Sequence, residues 1–89
     1  MLLLEIPITQ EDIDSGQQRD YSLCPLALAL NRITGQEVSV HYNLFLVYTS
    51  KREDQWCEFR LDSMAKDFVH AFDAGDVVHP TTVTATLSP

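Results

Sequence analysis

The chain has 89 residues, with thirteen Asp and Glu against six Lys and Arg, for a formal charge of −7. This length holds one hydrophobic core rather than two, and a 45% hydrophobic fraction excludes a disordered chain. The acidic balance argues against direct binding to nucleic acid or to anionic membranes, and it suits a partner with a basic surface.

The apolar opening MLLL is cut short by Glu5 and Pro7, too early for a signal peptide. No window reaches the length of a membrane-spanning helix, so a cytoplasmic protein is expected. Cys24 and Cys57 are too few for a disulfide framework and read as reduced thiols. The whole chain, 1–89, reads as a single domain.

Leu2, Leu4, Ile6 and Ile8 alternate as in a strand with one apolar face, and Pro7 places that strand near its end or on a sheet edge. Thr9 followed by Asp12 approximates a capping box, so a short helix over Gln10 to Ser15 is expected, with Gly16 at its C′ position. Ser22 suits an N-cap, Pro25 a first turn, and Leu26, Ala29, Leu30 and Ile33 one helix face ending at Gly35. Leu23 and Ala27 widen that face.

From Glu37 to Thr49 the even positions are apolar throughout and the odd ones become so at Phe45 and Val47. One long strand fits, and so does a break at Tyr42-Asn43 giving two. Ser50 to Asp54 is charged and reads as a hairpin loop, leading to a strand in which Cys57, Phe59 and Leu61 face the core. Asp62 or Ser63 caps a further helix with a stripe of Leu61, Ala65, Phe68, Val69 and Phe72, stopped by Gly75. His79-Pro80 makes a turn, and Val83, Ala85 and Leu87 mark a last strand.

The order is βαββαβ after the first short turn of helix. It predicts an α+β fold with an antiparallel or mixed four-stranded sheet and two helices on one face, a ferredoxin-like sandwich.

No constellation carries chemistry. The two cysteines and His41, His70 and His79 are scattered singly, without zinc-ligand spacing. Asp12, Asp14 and Gly16 begin like a calcium loop, but Leu23 stands where the bidentate Glu belongs. Phosphate-binding glycine loops are absent, and Glu53 and Asp54 read as solvated surface. No catalytic residue, cofactor or metal site is therefore expected. Cys24, near a helix N-terminus, is the one candidate for a reactive or redox-sensitive thiol.

Trp56 carries more weight. It shares the polar side of its strand with Glu58 and Arg60, so it is expected on the uncovered sheet face. Phe45 and Val47 of the neighbouring strand are expected to join it in an apolar patch suited to a protein partner. Clusters at Glu11, Asp12 and Asp14, and at Glu53, Asp54 and Asp62, offer a phosphate-mimicking surface for a basic partner as a further option.

Thr9, Asp12, Ile13, Gly16, Cys24, Pro25, Ala27, Leu28 and Ala29 together resemble the opening of a group of short, uncharacterised bacterial and phage proteins. Those have an apolar strand, Thr-x-x-Asp-Ile-x-x-Gly and a Cys-Pro-apolar-Ala-Leu-Ala helix. Phe68, Phe72, Asp73, Gly75 and Pro80 resemble their C-terminal part. Members often carry a further cysteine three residues before Cys-Pro, where this chain has Tyr21. The resemblance implies a phage or mobile-element context. The reading is then a non-enzymatic module that modulates or inhibits a host protein, of anti-defence type. A thiol-dependent protein using Cys24 and a homodimeric structural protein are the alternatives.

Overall fold

A computed structural model describes residues 3–41, 43–48 and 56–87. The elements are β1 (Leu3–Ile8), α1 (Gln10–Ser15), α2 (Pro25–Thr34), β2 (Val38–Val40), β3 (Leu44–Tyr48), β4 (Trp56–Leu61), α3 (Ser63–Asp73) and β5 (Thr81–Leu87). All strands pair antiparallel in one sheet of order β1-β5-β4-β3-β2.

The α+β class stands, but the sheet has five strands instead of four, and β1 lies at an edge. A ferredoxin-like order would put it in the centre. Pro7, which cannot donate to a ladder on both sides, fits the edge position. The extra strand comes from the segment expected as one long strand. It folds back on itself, with Val40 opposite Phe45 and the His41 N–H donating to the Leu44 carbonyl at 2.8 Å. The charged hairpin expected over residues 50–54 lies outside the described residues.

Each helix end has an identifiable cause. The Thr9 hydroxyl accepts the Asp12 N–H, and the Asp12 carboxylate accepts the Thr9 N–H at 2.9 Å, a reciprocal capping box. Gly16 is not a left-handed C′ glycine; its φ is −71. It is small for another reason: a Cβ there would lie 2.7 Å from the Pro25 ring. The N-cap of α2 is Cys24 rather than Ser22, because the thiol accepts the Ala27 N–H at 3.4 Å and Pro25 takes the first helical position. Gly35 ends α2 at φ 68, a left-handed conformation that favours glycine. Asp62 caps α3, accepting the Ala65 N–H at 2.7 Å.

The core lies between one face of the sheet and the helices. Ile6, Ile8, Val38, Val40, Phe45, Val47, Phe59, Leu61, Val83 and Ala85 supply the sheet side. Leu26, Ala27, Ala29 and Leu30 of α2 and Ala65 and Phe68 of α3 supply the other. Phe45 and Phe59, directly opposite in register, stack with ring centroids 5.0 Å apart. Ile33 and Leu23, expected on the buried stripe of α2, are substantially exposed.

Helix α2 packs against both β1 and β2, the two ends of the strand order. The sheet therefore curls around α2, while α3 packs against β4 and β5 in its middle. No helix among the described residues is long and apolar enough to cross a membrane.

Candidate functional site

Strand phase divides the expected patch in two. Trp56, Glu58 and Arg60 share the sheet face that points away from the helices. Opposite them in register stand Tyr48, Leu46 and Leu44. Phe45 and Val47 point the other way, into the core, and Phe45 is 0% exposed. They cannot join Trp56: side chains on a strand alternate, and the apolar neighbours of Trp56 are the even residues of β3. A single strand over residues 37–49 would bury its even phase throughout, and both phases near its end. The hairpin keeps Val38 and Val40 inward but turns Leu44, Leu46 and Tyr48 outward.

Trp56 is 49% exposed and pairs directly with Tyr48. Tyr48 in turn lines a groove of about 490 Å³ at the β2 edge of the sheet. Across the groove lie Tyr21 and Leu23 from the loop before α2, and Leu28 and Asn31 from α2 itself. Tyr21 is 64% exposed. The outer sheet face and the groove thus meet at one corner of the molecule, with Trp56, Tyr48, Tyr21 and Leu23 as its large apolar surfaces. Glu58 and Arg60 line a separate, polar concavity with Lys66.

The loop that presents Tyr21 and Leu23 is held by its own polar groups. The Asp20 carboxylate accepts the Ser22 N–H at 2.9 Å, the Ser22 hydroxyl at 3.0 Å and the Leu23 N–H at 3.0 Å. The backbone and hydroxyl bonds from Ser22 hold its carboxyl below the usual Asp value. The Arg19 N–H donates to Asp73 of α3, and Arg19 itself takes a positive φ of 58, uncommon outside glycine. The Tyr21 carbonyl accepts the Val40 N–H at 2.7 Å, tying the loop to β2. On that strand the Ser39 hydroxyl sits 2.8 Å from Nε2 of His41.

Cys24 is buried, and desolvation pushes its thiol up to about 11 from 9.0, despite the amides of Ala27 and Leu26 that act in the opposite direction. A thiol so placed is held neutral and out of reach, which disfavours a nucleophile. Cys57, expected in the core, is exposed. It has the phase of Phe59 and Leu61, but phase decides only which way a side chain points, not whether anything covers it.

Among the described residues, Asp12 and Asp62 of the acidic clusters serve local structural roles. Asp12 is buried in the capping box and paired with Arg32 at 2.9 Å, Asp62 caps α3, and residues 53 and 54 lie outside the described residues. Among the described residues no group of three or more His, Cys, Asp or Glu is arranged to hold a metal ion. Sequence reasoning named Trp56 but missed Tyr48, Tyr21, Leu23 and the groove. Their signal was slight: Leu23 reads as part of the α2 face, and Tyr21 is a lone aromatic residue just before Ser22. Comparison with protein families, with curated proteins and with solved structures finds no match.

Proposed function

We propose that this chain is a protein-binding module whose interface is the corner formed by Trp56, Tyr48 and the groove at the β2 edge. The observation that carries this reading is the register pairing of Trp56 with Tyr48, which continues the exposed aromatic surface into a groove faced by Tyr21 and Leu23. Trp and Tyr dominate interface energetics because each buries a large rigid surface at low entropic cost. With a net charge of −7, the partner surface is expected to be basic. If the mobile-element context implied by the sequence resemblance holds, that partner is a host protein and binding modulates or inhibits it.

The test is affinity capture with the whole chain, comparing wild type with Trp56→Ala and Tyr48→Ala. Partners held through this corner are lost from both variants while thermal melting stays near wild type. Retention of every specific partner by both variants would sink the proposal.

A further inference from the structure

The two backbone faces of β2 are used differently. The Glu37 carbonyl accepts the Tyr48 N–H at 2.9 Å, and the His41 N–H donates to the Leu44 carbonyl. In an antiparallel ladder this fixes the pairs that exchange hydrogen bonds with β3 as residues 37, 39 and 41. Val38 and Val40 therefore direct their N–H and C=O groups away from β3, along the outer edge. The Val40 N–H is satisfied there by the Tyr21 carbonyl. Val38 has no such partner for its N–H or C=O among the described residues, although the residue is only 6% exposed. It lines the groove. Its backbone donor and acceptor thus stand open side by side at the groove, the template that an unpaired sheet edge offers to another chain.

From this we infer that the groove is a strand-addition site: an extended segment of a partner protein lies along β2 and exchanges main-chain hydrogen bonds with Val38. This deepens the protein-binding reading and rests on it. The matching chemistry is the backbone N–H and C=O of a single residue in an antiparallel segment, which an extended peptide supplies and most small ligands do not. Alternate side chains of the segment would pack between Leu28 and Leu23. Among the described residues that line the groove Glu37 is the one acidic or basic side chain, so a Lys or Arg in the segment is expected beside it. A second copy of this chain is the less suitable occupant, because each copy carries −7 and would bring its own Glu37 to the same edge.

The probe is a displayed library of random linear dodecapeptides selected on the immobilised full-length chain, followed by amide NMR of the free and bound protein. In the free protein the Val38 amide is expected to exchange with solvent far faster than those of Ser39 and Val40. Enriched peptides should alternate apolar with Lys or Arg positions, shift the Val38 amide and slow its exchange. Glu37→Lys should weaken them about tenfold or more. Methylating the peptide's central backbone nitrogen should cost roughly five- to tenfold, the loss of one main-chain hydrogen bond. Since only peptide and surface charge are altered, neither change puts folding at risk. A Val38 amide already protected in the free monomer would overturn the inference. So would a concentration-dependent dimer that protects it, or the absence of any enriched peptide. Peptides that perturb Trp56 and Tyr48 but leave Val38 unchanged would overturn strand addition while leaving the protein-binding reading intact.

Discussion

The two free edges of this sheet, β1 and β2, are finished in opposite ways. Along β1, Pro7 has no N–H to offer, and its carbonyl accepts a hydrogen bond from Arg32 of α2 at 3.0 Å. The same guanidinium pairs with Asp12, whose carboxylate also closes the capping box of α1. That edge is blocked by residues from three consecutive elements. Along β2, among the described residues, the Tyr21 carbonyl closes Val40, Asn31 and Thr34 hold Gln36 just before the strand, and Val38 between them is left open. Exposed edges invite pairing with other chains, so proteins commonly blunt them with proline and charge. Here one edge is blunted and the other is not, and the open one adjoins the exposed aromatic corner.

The contrast can be broken most severely from beneath. Phe45 pairs with Val40 and stacks on Phe59, so Phe45→Ala should cost about 3–5 kcal/mol. Chemical denaturation measures this loss, and β2 amides should lose protection first. Trp56→Ala, on the opposite face, should cost under about 1 kcal/mol in the isolated chain. Equal costs would mean the two faces have been assigned wrongly.

Breaking the clamp at β1 comes next. Asp12→Ala leaves the Thr9 N–H without its acceptor and the Arg32 guanidinium with the Pro7 carbonyl but no carboxylate, and should cost about 1–3 kcal/mol. Burial would raise the Asp12 carboxyl, but the hydrogen bonds from Thr9 and the bond and charge of Arg32 outweigh it and hold the group below 3.8. Its contribution is therefore present above about pH 4 and lost as the pH falls through the lowered value. Acid melting curves of wild type and variant should converge at the bottom of that range. Persistent separation there would count against the ion pair.

Cys24 caps the helix that touches both edges. Cys24→Ala should cost about 0.5–2 kcal/mol. With the folded thiol near 11 and the unfolded one near 9.0, its protonic contribution is full below pH 9 and declines as pH rises toward 11. That alkaline slope should be shallower in the variant. An alkylating reagent at pH 8 should label Cys57 and spare Cys24. Rapid labelling of Cys24 in the folded protein would revive the thiol reading.

The smallest expected effect is that of Arg32→Ala, at most about 1 kcal/mol, because the guanidinium is half exposed. Its informative readout is association. Freeing the Pro7 carbonyl does not supply the missing N–H, so the variant should remain as monodisperse as wild type by light scattering.

Much of this was legible from short-range rules. The capping box at Thr9 and Asp12, the stop at Gly35 and the alternation of Val83 and Ala85 each rest on neighbours within a few positions. Residues 37–49 were harder to read, because both phases are apolar there. Alternation alone cannot separate one long strand from a hairpin whose two arms face the core with opposite parity. That ambiguity moved Phe45 and Val47 to the wrong face and concealed both β2 and its edge. The groove depends on Tyr21 reaching Val40 and on α2 lying between distant strands, neither of which leaves a periodic trace in the sequence.

The pairing of β1 with β5 joins Leu3 to Thr86, and β5 also stands between β1 and β4. During synthesis β5 is the last of the described strands to emerge. Until it does, β1 has no strand to pair with and β4 lacks one neighbour. Helix α2 can gather β1 and β2 early, since both lie near it in the chain. The step that completes the sheet must wait for contacts of high sequence separation, which slows folding. A ribosome-bound chain would therefore expose a half-built sheet until its final strand is released, and protease sensitivity of stalled chains should end abruptly at that length.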